Sequence, residues 1–313
     1  MSSKTFALCS IMSLSAGMSI AEAPQVAVDI APVHSLVARV MEGVGTPDLI
    51  IPAGASPHEY NLRPSEAASL QNADVVFWVS ASLTPWMKNA IETLAEDAVV
   101  TELFEVEGTL KLPFRQGVLF EEHDDHEGHD DHEAHDDHEG HNHDGDDPHA
   151  WLSPDNAAVW LNAIAQTLSK VDPDNASQYY LNAAAGQKEL RELSTKINGI
   201  LAPFEGRNFI VFHDAYQYFE KAFDFYAAGA ISLSDARDPS PARIAKIQNR
   251  INEQNISCIL SEPQFNPNIV AAVASGSDVK MGILDPLGVG LELGETLYFQ
   301  TLHNLAKALS DCL

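Results

Sequence analysis

Two halves of this chain repeat one pattern, and a helical stretch without internal proline lies between them; nothing else in the 313 residues constrains the fold as much. From 26 to 168, short apolar runs alternate with amphipathic stretches at helical spacing, as successive βα units do. Strands are expected at 25–30, 48–51, 74–79 and 98–101, with helices at 35–41, 65–70 and 85–94. The same alternation returns after 204, with strands expected at 209–212, 224–228, 257–260 and 279–283 and helices at 216–223, 241–255 and 268–274. Strands separated by helices pair in parallel and need cover on both faces. The expected fold class is therefore α/β: two lobes, each with a roughly four-stranded parallel sheet flanked by helices, joined by one long rigid helix. A chain of this length also has room for two cores.

The connector opens at Asp172-Pro173-Asp174-Asn175 and runs to Leu201, with Leu190, Leu193, Ile197 and Ile200 at helical spacing. Asp172 or Asp174 can cap its start, and Pro203 stops it. About 28 helical residues span roughly 42 Å, enough to run the height of both lobes. Two shorter helices with a break near Gly186 or Gly199 are the alternative. The expected organisation is a signal peptide at 1–23, an N-terminal lobe at 24–171, a linking helix at 172–203 and a C-terminal lobe at 204–313.

Residues 1–23 carry Lys4, an apolar stretch from Phe6 to Ile20, and Ala21-Glu22-Ala23 as an A-x-A cleavage site. This reads as a secretory signal rather than a membrane anchor, because the stretch is short for a span and contains several Ser and Gly. No later segment is long and apolar enough to cross a bilayer. Cys9 lies within the signal and lacks the lipoprotein pattern, which leaves Cys258 and Cys312. In an oxidising compartment such a pair is expected as a disulfide. The rival reading, two thiolate metal ligands, lacks any C-x-x-C spacing.

The formal charge of -27, with 18 Lys and Arg against 45 Asp and Glu, excludes a nucleic-acid partner and an anionic membrane surface, which need a basic face. A cation is the natural partner. Fourteen of those acids lie within 121–147, a segment composed almost wholly of His, Asp, Glu and Gly. It carries His123, His126, His129, His132, His135, His138, His141 and His143. With nothing apolar to bury, it is expected to be a disordered insertion within the N-terminal lobe, offering weak, exchanging metal sites or serving as a solubilising linker.

Three further His residues stand in loop contexts near expected strand ends. They occur in Ser56-Pro57-His58-Glu59-Tyr60, Asp147-Pro148-His149-Ala150-Trp151 and Val211-Phe212-His213-Asp214-Ala215-Tyr216. Open α/β sheets bind ligands at the carboxyl ends of their strands. Three imidazoles with one open or carboxylate position make a tetrahedral site that suits zinc. Neutral imidazoles bind, so protons compete and affinity falls as pH drops through the ordinary imidazole range near 6.5. A His at the start of the first helix, His34, and one in the C-terminal helix, His303, read as structural or exposed. Trp151 reads as packing beside the site.

Those three motifs, with Ser261-Glu262-Pro263-Gln264-Phe265 and Leu284-Asp285-Pro286-Leu287-Gly288, resemble the metal-binding solute-binding proteins of ABC importers, and most closely their ZnuA-type zinc-uptake branch. The resemblance spans nearly the whole exported chain. It implies a metal held between two four-stranded lobes, with His58 and His149 from the first and His213 from the second. It also implies a periplasmic, non-enzymatic monomer that captures zinc and delivers it to a membrane permease. The His-rich insertion and a disulfide near the C-terminus fit the same branch. The fourth position is open between Asp285, Glu59 and water, with a turn-stabilising role as the other reading of Asp285. Glu262 is a candidate to orient a ligating imidazole. Manganese or iron uptake, a zinc-dependent hydrolase or hydratase, and a buffering or adhesive surface protein are the competing readings. No His-Glu-x-x-His run, nucleophile elbow or phosphate loop supports an enzyme.

Overall fold

The computed structural model describes residues 23–115, 120, 145–232 and 239–313. The expected signal peptide, apart from Ala23, and all eight His residues from His123 to His143 lie outside the described residues.

In the first lobe, β1 (Val26–Val28), β2 (Asp48–Leu49), β3 (Val75–Trp78) and β4 (Val99–Glu102) form a parallel sheet in the order β2-β1-β3-β4. The central strands are apolar at every position and wholly buried, the pattern required when helices cover both faces. The second lobe repeats the design with β5 (Phe209–His213), β6 (Ala230–Ser232), β7 (Cys258–Ser261) and β8 (Lys280–Ile283), all parallel in the order β6-β5-β7-β8.

The helices around the first sheet are α1 (Ala31–Val40), α2 (Pro64–Gln71) and α3 (Pro85–Leu94), followed by α4 (Pro154–Val171) and the long α5 (Ala176–Leu201). The second lobe adds α6 (Gln217–Phe223), α7 (Pro241–Glu253), α8 (Pro267–Ala274) and α9 (Leu297–Cys312). Proline occupies the first turn of α1, α2, α3, α4, α7 and α8, where its missing N–H forfeits no hydrogen bond. One continuous core runs through both lobes. A smaller cluster around Phe212, Ile231, Ile247 and Ile259 fills the far side of the second sheet. Cys258 of β7 is bonded to Cys312 of α9 across 54 residues, with Cα atoms 5.7 Å apart. In the chain-entropy model, closing such a loop contributes about 4 kcal/mol.

Three expectations change. The strand placed at 224–228 forms instead at Ala230–Ser232. Asp224 takes a left-handed conformation (φ 50°) that ends α6, and Phe225 turns inward to stack on Phe209 with ring centres 5.4 Å apart. The apolar run there is a packing corner whose last residue, Ala228, donates from N to Phe209 O at 2.8 Å, and the strand itself begins at Ala230. Second, α5 is one unbroken helix of 26 residues; Asp172 caps nothing at its start but accepts hydrogen bonds from Tyr179 Oη and Asn175 Nδ2, each at 2.7 Å. Gly186 is buried where α4 crosses, and a Cβ there would lie 2.9 Å from Leu161 Cδ1, so the glycine permits close approach rather than a break. Third, the end of the acidic insertion is ordered. Gly145, Asp146 and Asp147 are described, and Asp146 pairs antiparallel with Pro113.

Candidate metal centre

His213 is the last residue of β5, and His149 caps a 3-10 turn (Ala150–Leu152) that leads into α4. His58 sits in the loop between β2 and α2. Among the contacts that hold that loop, Trp86 Nε1 donates to Pro57 O at 2.9 Å, Tyr60 Oη donates to Glu66 Oε1 at 2.7 Å, and Gln264 Nε2 reaches from the second lobe to Ala53 O at 3.2 Å.

Together these elements bring the three imidazoles to one point. The Nε2 atoms of His58 and His149 are 3.3 Å apart, and those of His149 and His213 are 3.4 Å apart. Ligand atoms of all three lie within 4.8 Å of one another, and among the described residues no other group of three His, Cys or carboxylate side chains does so.

The orientation of two rings is set from behind. His149 Nδ1 lies 2.6 Å from Asp147 Oδ1, and His213 Nδ1 lies 2.6 Å from Glu262 Oε1. Both carboxylates are buried. Each accepts a hydrogen bond from the Nδ1–H of its neutral ring, which turns the Nε2 lone pair forward. Two such lone pairs at 3.4 Å repel unless a cation lies between them. A tetrahedral zinc with Zn–N bonds of about 2.05 Å sets its nitrogens about 3.3 Å apart, the separation found here. The cavity at this point holds about 10 Å³ and is walled by Pro57, Trp151, Phe265 and Leu287 as well as by the imidazoles. It has room for one ion and few waters, and the donor set fits zinc.

Asp147 is held on several sides. Its Oδ1 also accepts from His149 N (3.0 Å), its Oδ2 accepts from Gln217 Nε2 (2.8 Å), and its carbonyl accepts from Tyr218 Oη (2.7 Å). Its own N–H donates to Leu112 O at 2.7 Å. Close by, Arg115 crosses from the first lobe to Asp214 and Glu220 of the second, donating through Nε to Asp214 Oδ1 at 2.9 Å and through Nη1 to Glu220 Oε2 at 2.6 Å. Burial pushes the Glu220 carboxyl up to about 7 against the pull of Arg115, and it raises Asp214 in the same way.

The remaining candidates lie elsewhere. Asp285 is folded into its own turn: Oδ1 accepts from Leu287 N and Gly288 N at 3.0 Å, and Oδ2 accepts from Val289 N at 2.5 Å. Burial raises its carboxyl despite these bonds, and it does not line the cavity. Glu59 is exposed and outside the cavity wall. His34 is buried in α1 with Nε2 3.0 Å from Pro47 O, and burial lowers its pKa. His303 lies half-buried on α9. Trp151 packs 5.3 Å from the His149 ring and donates from Nε1 to Pro286 O at 3.0 Å. Cys258 and Cys312 are joined to each other. Sequence reasoning missed the role of Asp147, although an acid two residues before His149 was the available clue, and it missed Arg115 and Gln264, which carry no spacing that marks them.

Residues 26–312 match the family described as zinc-uptake complex component A, periplasmic. The chain belongs to the ZnuA family. It is 41% identical over 314 residues to the high-affinity zinc uptake system protein ZnuA of Brucella abortus (strain 2308), covering 95% of this chain and 94% of that protein. The ZnuA of Paracoccus denitrificans is 42% identical over 306 residues, covering 94% and 93%. Among solved structures, a crystal structure of ZnuA superimposes with a TM-score of 0.74 at 22% identity, covering 93% of this chain and 99% of that one. The periplasmic zinc-binding protein TroA from Treponema pallidum gives 0.76 at 19%, with coverage of 93% and 99%. At such identities these two show the shared fold. ZnuA-family membership makes the chain a solute-binding component of transport and sets aside the hydrolase and hydratase readings.

Proposed function

We propose that this chain captures one zinc ion in the periplasm through His58, His149 and His213 and delivers it to the membrane permease of an ABC importer. The convergence of three Nε2 atoms, two of them aimed by buried carboxylates, carries the reading. The lobes are 24–171 and 204–313, with the connector 172–203 between them. The exported chain acts as a monomer. Among the described residues no helix is long and apolar enough to cross a membrane. His123 to His143 serve as accessory, weakly binding positions. Water takes the fourth place on the ion, since Asp285 is engaged by three backbone N–H groups.

The test is zinc titration of the purified exported chain against a chelator. One tight equivalent, with weaker ones beside it, is expected in the wild type. His149→Ala should weaken the tight site at least about 100-fold, more than loss of a mere supporting contact would. Retention of tight binding in that variant, or tighter binding of manganese than of zinc in the wild type, would overturn the assignment.

A further inference from the structure

We propose that the side-chain oxygen of Gln264 accepts a hydrogen bond from the water that completes the zinc coordination sphere, so that the interlobe amide senses the loaded ion. The inference rests on the capture reading above and assigns a residue to its open position.

Three imidazole nitrogens leave a tetrahedral ion with one vacant position. Neither candidate carboxylate is brought to it: Asp285 is bound by the N–H groups of its own turn, and Glu59 is exposed outside the cavity wall. A zinc-bound water is a stronger hydrogen-bond donor than a free one and needs an acceptor in a cavity of this size. Gln264 lines the cavity, and its Oε1 is buried with no hydrogen-bond partner among the described residues.

The amide orientation follows from chemistry. Gln264 Nε2 donates to Ala53 O at 3.2 Å. A carbonyl oxygen is a pure acceptor, so exchanging nitrogen and oxygen would set one acceptor against another. The nitrogen is thus fixed on that side and the oxygen on the other. Buried carbonyl groups rarely go unpaired, and the ones that do call for an explanation. Here a water on the ion supplies the missing donor. The same amide grips Ala53, in the loop that carries His58, so one side chain of the second lobe joins the ion to the first.

The test compares Gln264→Met with Gln264→Glu in the full exported chain. Zinc affinity is read by chelator competition, and the visible spectrum of the cobalt-substituted protein is read beside it. Gln264→Met, which removes the acceptor, should weaken zinc by about 10- to 100-fold and alter the cobalt spectrum. Gln264→Glu loses the same donor to Ala53 O but keeps an acceptor for the water, so its affinity and spectrum should lie closer to the wild type than those of Gln264→Met. Equal loss in both variants would make Gln264 a latch between lobes and overturn the proposal, as would unchanged binding in Gln264→Met. If Gln264→Met fails to fold, Gln264→Glu decides alone: retained affinity supports the role, and lost affinity ends it. Failure of the wild type to hold one tight zinc would instead sink the capture reading.

Discussion

At the scale of single residues, the centre is made by what stands behind its imidazoles. A carboxylate on Nδ1 fixes both the ring tautomer and the direction of its free lone pair, and such partners typically carry 10- to 100-fold in metal affinity. Asp147→Asn and Glu262→Gln preserve shape but replace the charged acceptor, so each is expected to weaken zinc by about 10-fold. Chelator competition measures this, and unchanged affinity in both variants would show that the carboxylates are bystanders. All three imidazoles were legible in the sequence because each stands in a short motif, although only His213 lies at a strand end. Glu262 was legible as an orienting acid for the same reason. Asp147 was harder to see because it closes a run of acids with no apolar neighbour, where one carboxylate looks like the next. Gln264 is illegible in one dimension: its partner Ala53 lies 211 residues away, in the other lobe.

At the scale of elements, α5 offers a contrast within one helix. Gly199 is exposed, and a Cβ there would meet nothing within 4 Å among the described residues. Gly199→Ala should therefore gain the helix propensity that glycine forgoes, about 0.5–1 kcal/mol. Gly186 lies against Leu161 and Arg39, both buried, so Gly186→Val should cost about 1–3 kcal/mol through overpacking. Urea denaturation of the two variants distinguishes them, and a gain at both positions would contradict the close crossing of α4 and α5. The helical period, the proline at helix starts and the all-apolar central strands made most of these elements readable from the sequence. The displaced β6 shows the limit. Phe225, Tyr226, Ala227 and Ala228 have strand composition, but a left-handed Asp224 and the stack on Phe209 spend that segment on a corner, a choice made by tertiary packing.

At the scale of the whole molecule, two buried carboxyl groups tie stability to pH. Asp29 follows β1, and its oxygens accept from Ile30 N and Val79 N, each at 2.7 Å, yet full burial lifts it to about 7. Glu220 also stands at about 7 for the same cause. Folded values above the ordinary carboxyl range mean that the native state binds the proton more tightly than the unfolded chain does. The stabilisation from these groups is thus full below about pH 4 and is lost as pH rises through about 7. The metal-free protein should melt at a lower temperature near pH 8 than near pH 5, and Asp29→Asn should reduce that difference. Scanning calorimetry on the chelator-treated protein checks both, and an equal difference in the variant would remove Asp29 from the account. Zinc capture runs the opposite way, since protons compete for the imidazoles, so the ion is best held where the empty fold is least supported by these two acids. The paired ends of the His-rich insertion have an evolutionary consequence. Phe114 N donates to Gly145 O at 3.3 Å, and Pro113 bridges Asp146, so positions 113–114 and 145–146 stand side by side. Closure entropy grows only with the logarithm of length. A lineage can therefore lengthen, trim or recompose the intervening text at little thermodynamic penalty, while the imidazole four residues beyond the seam keeps its place.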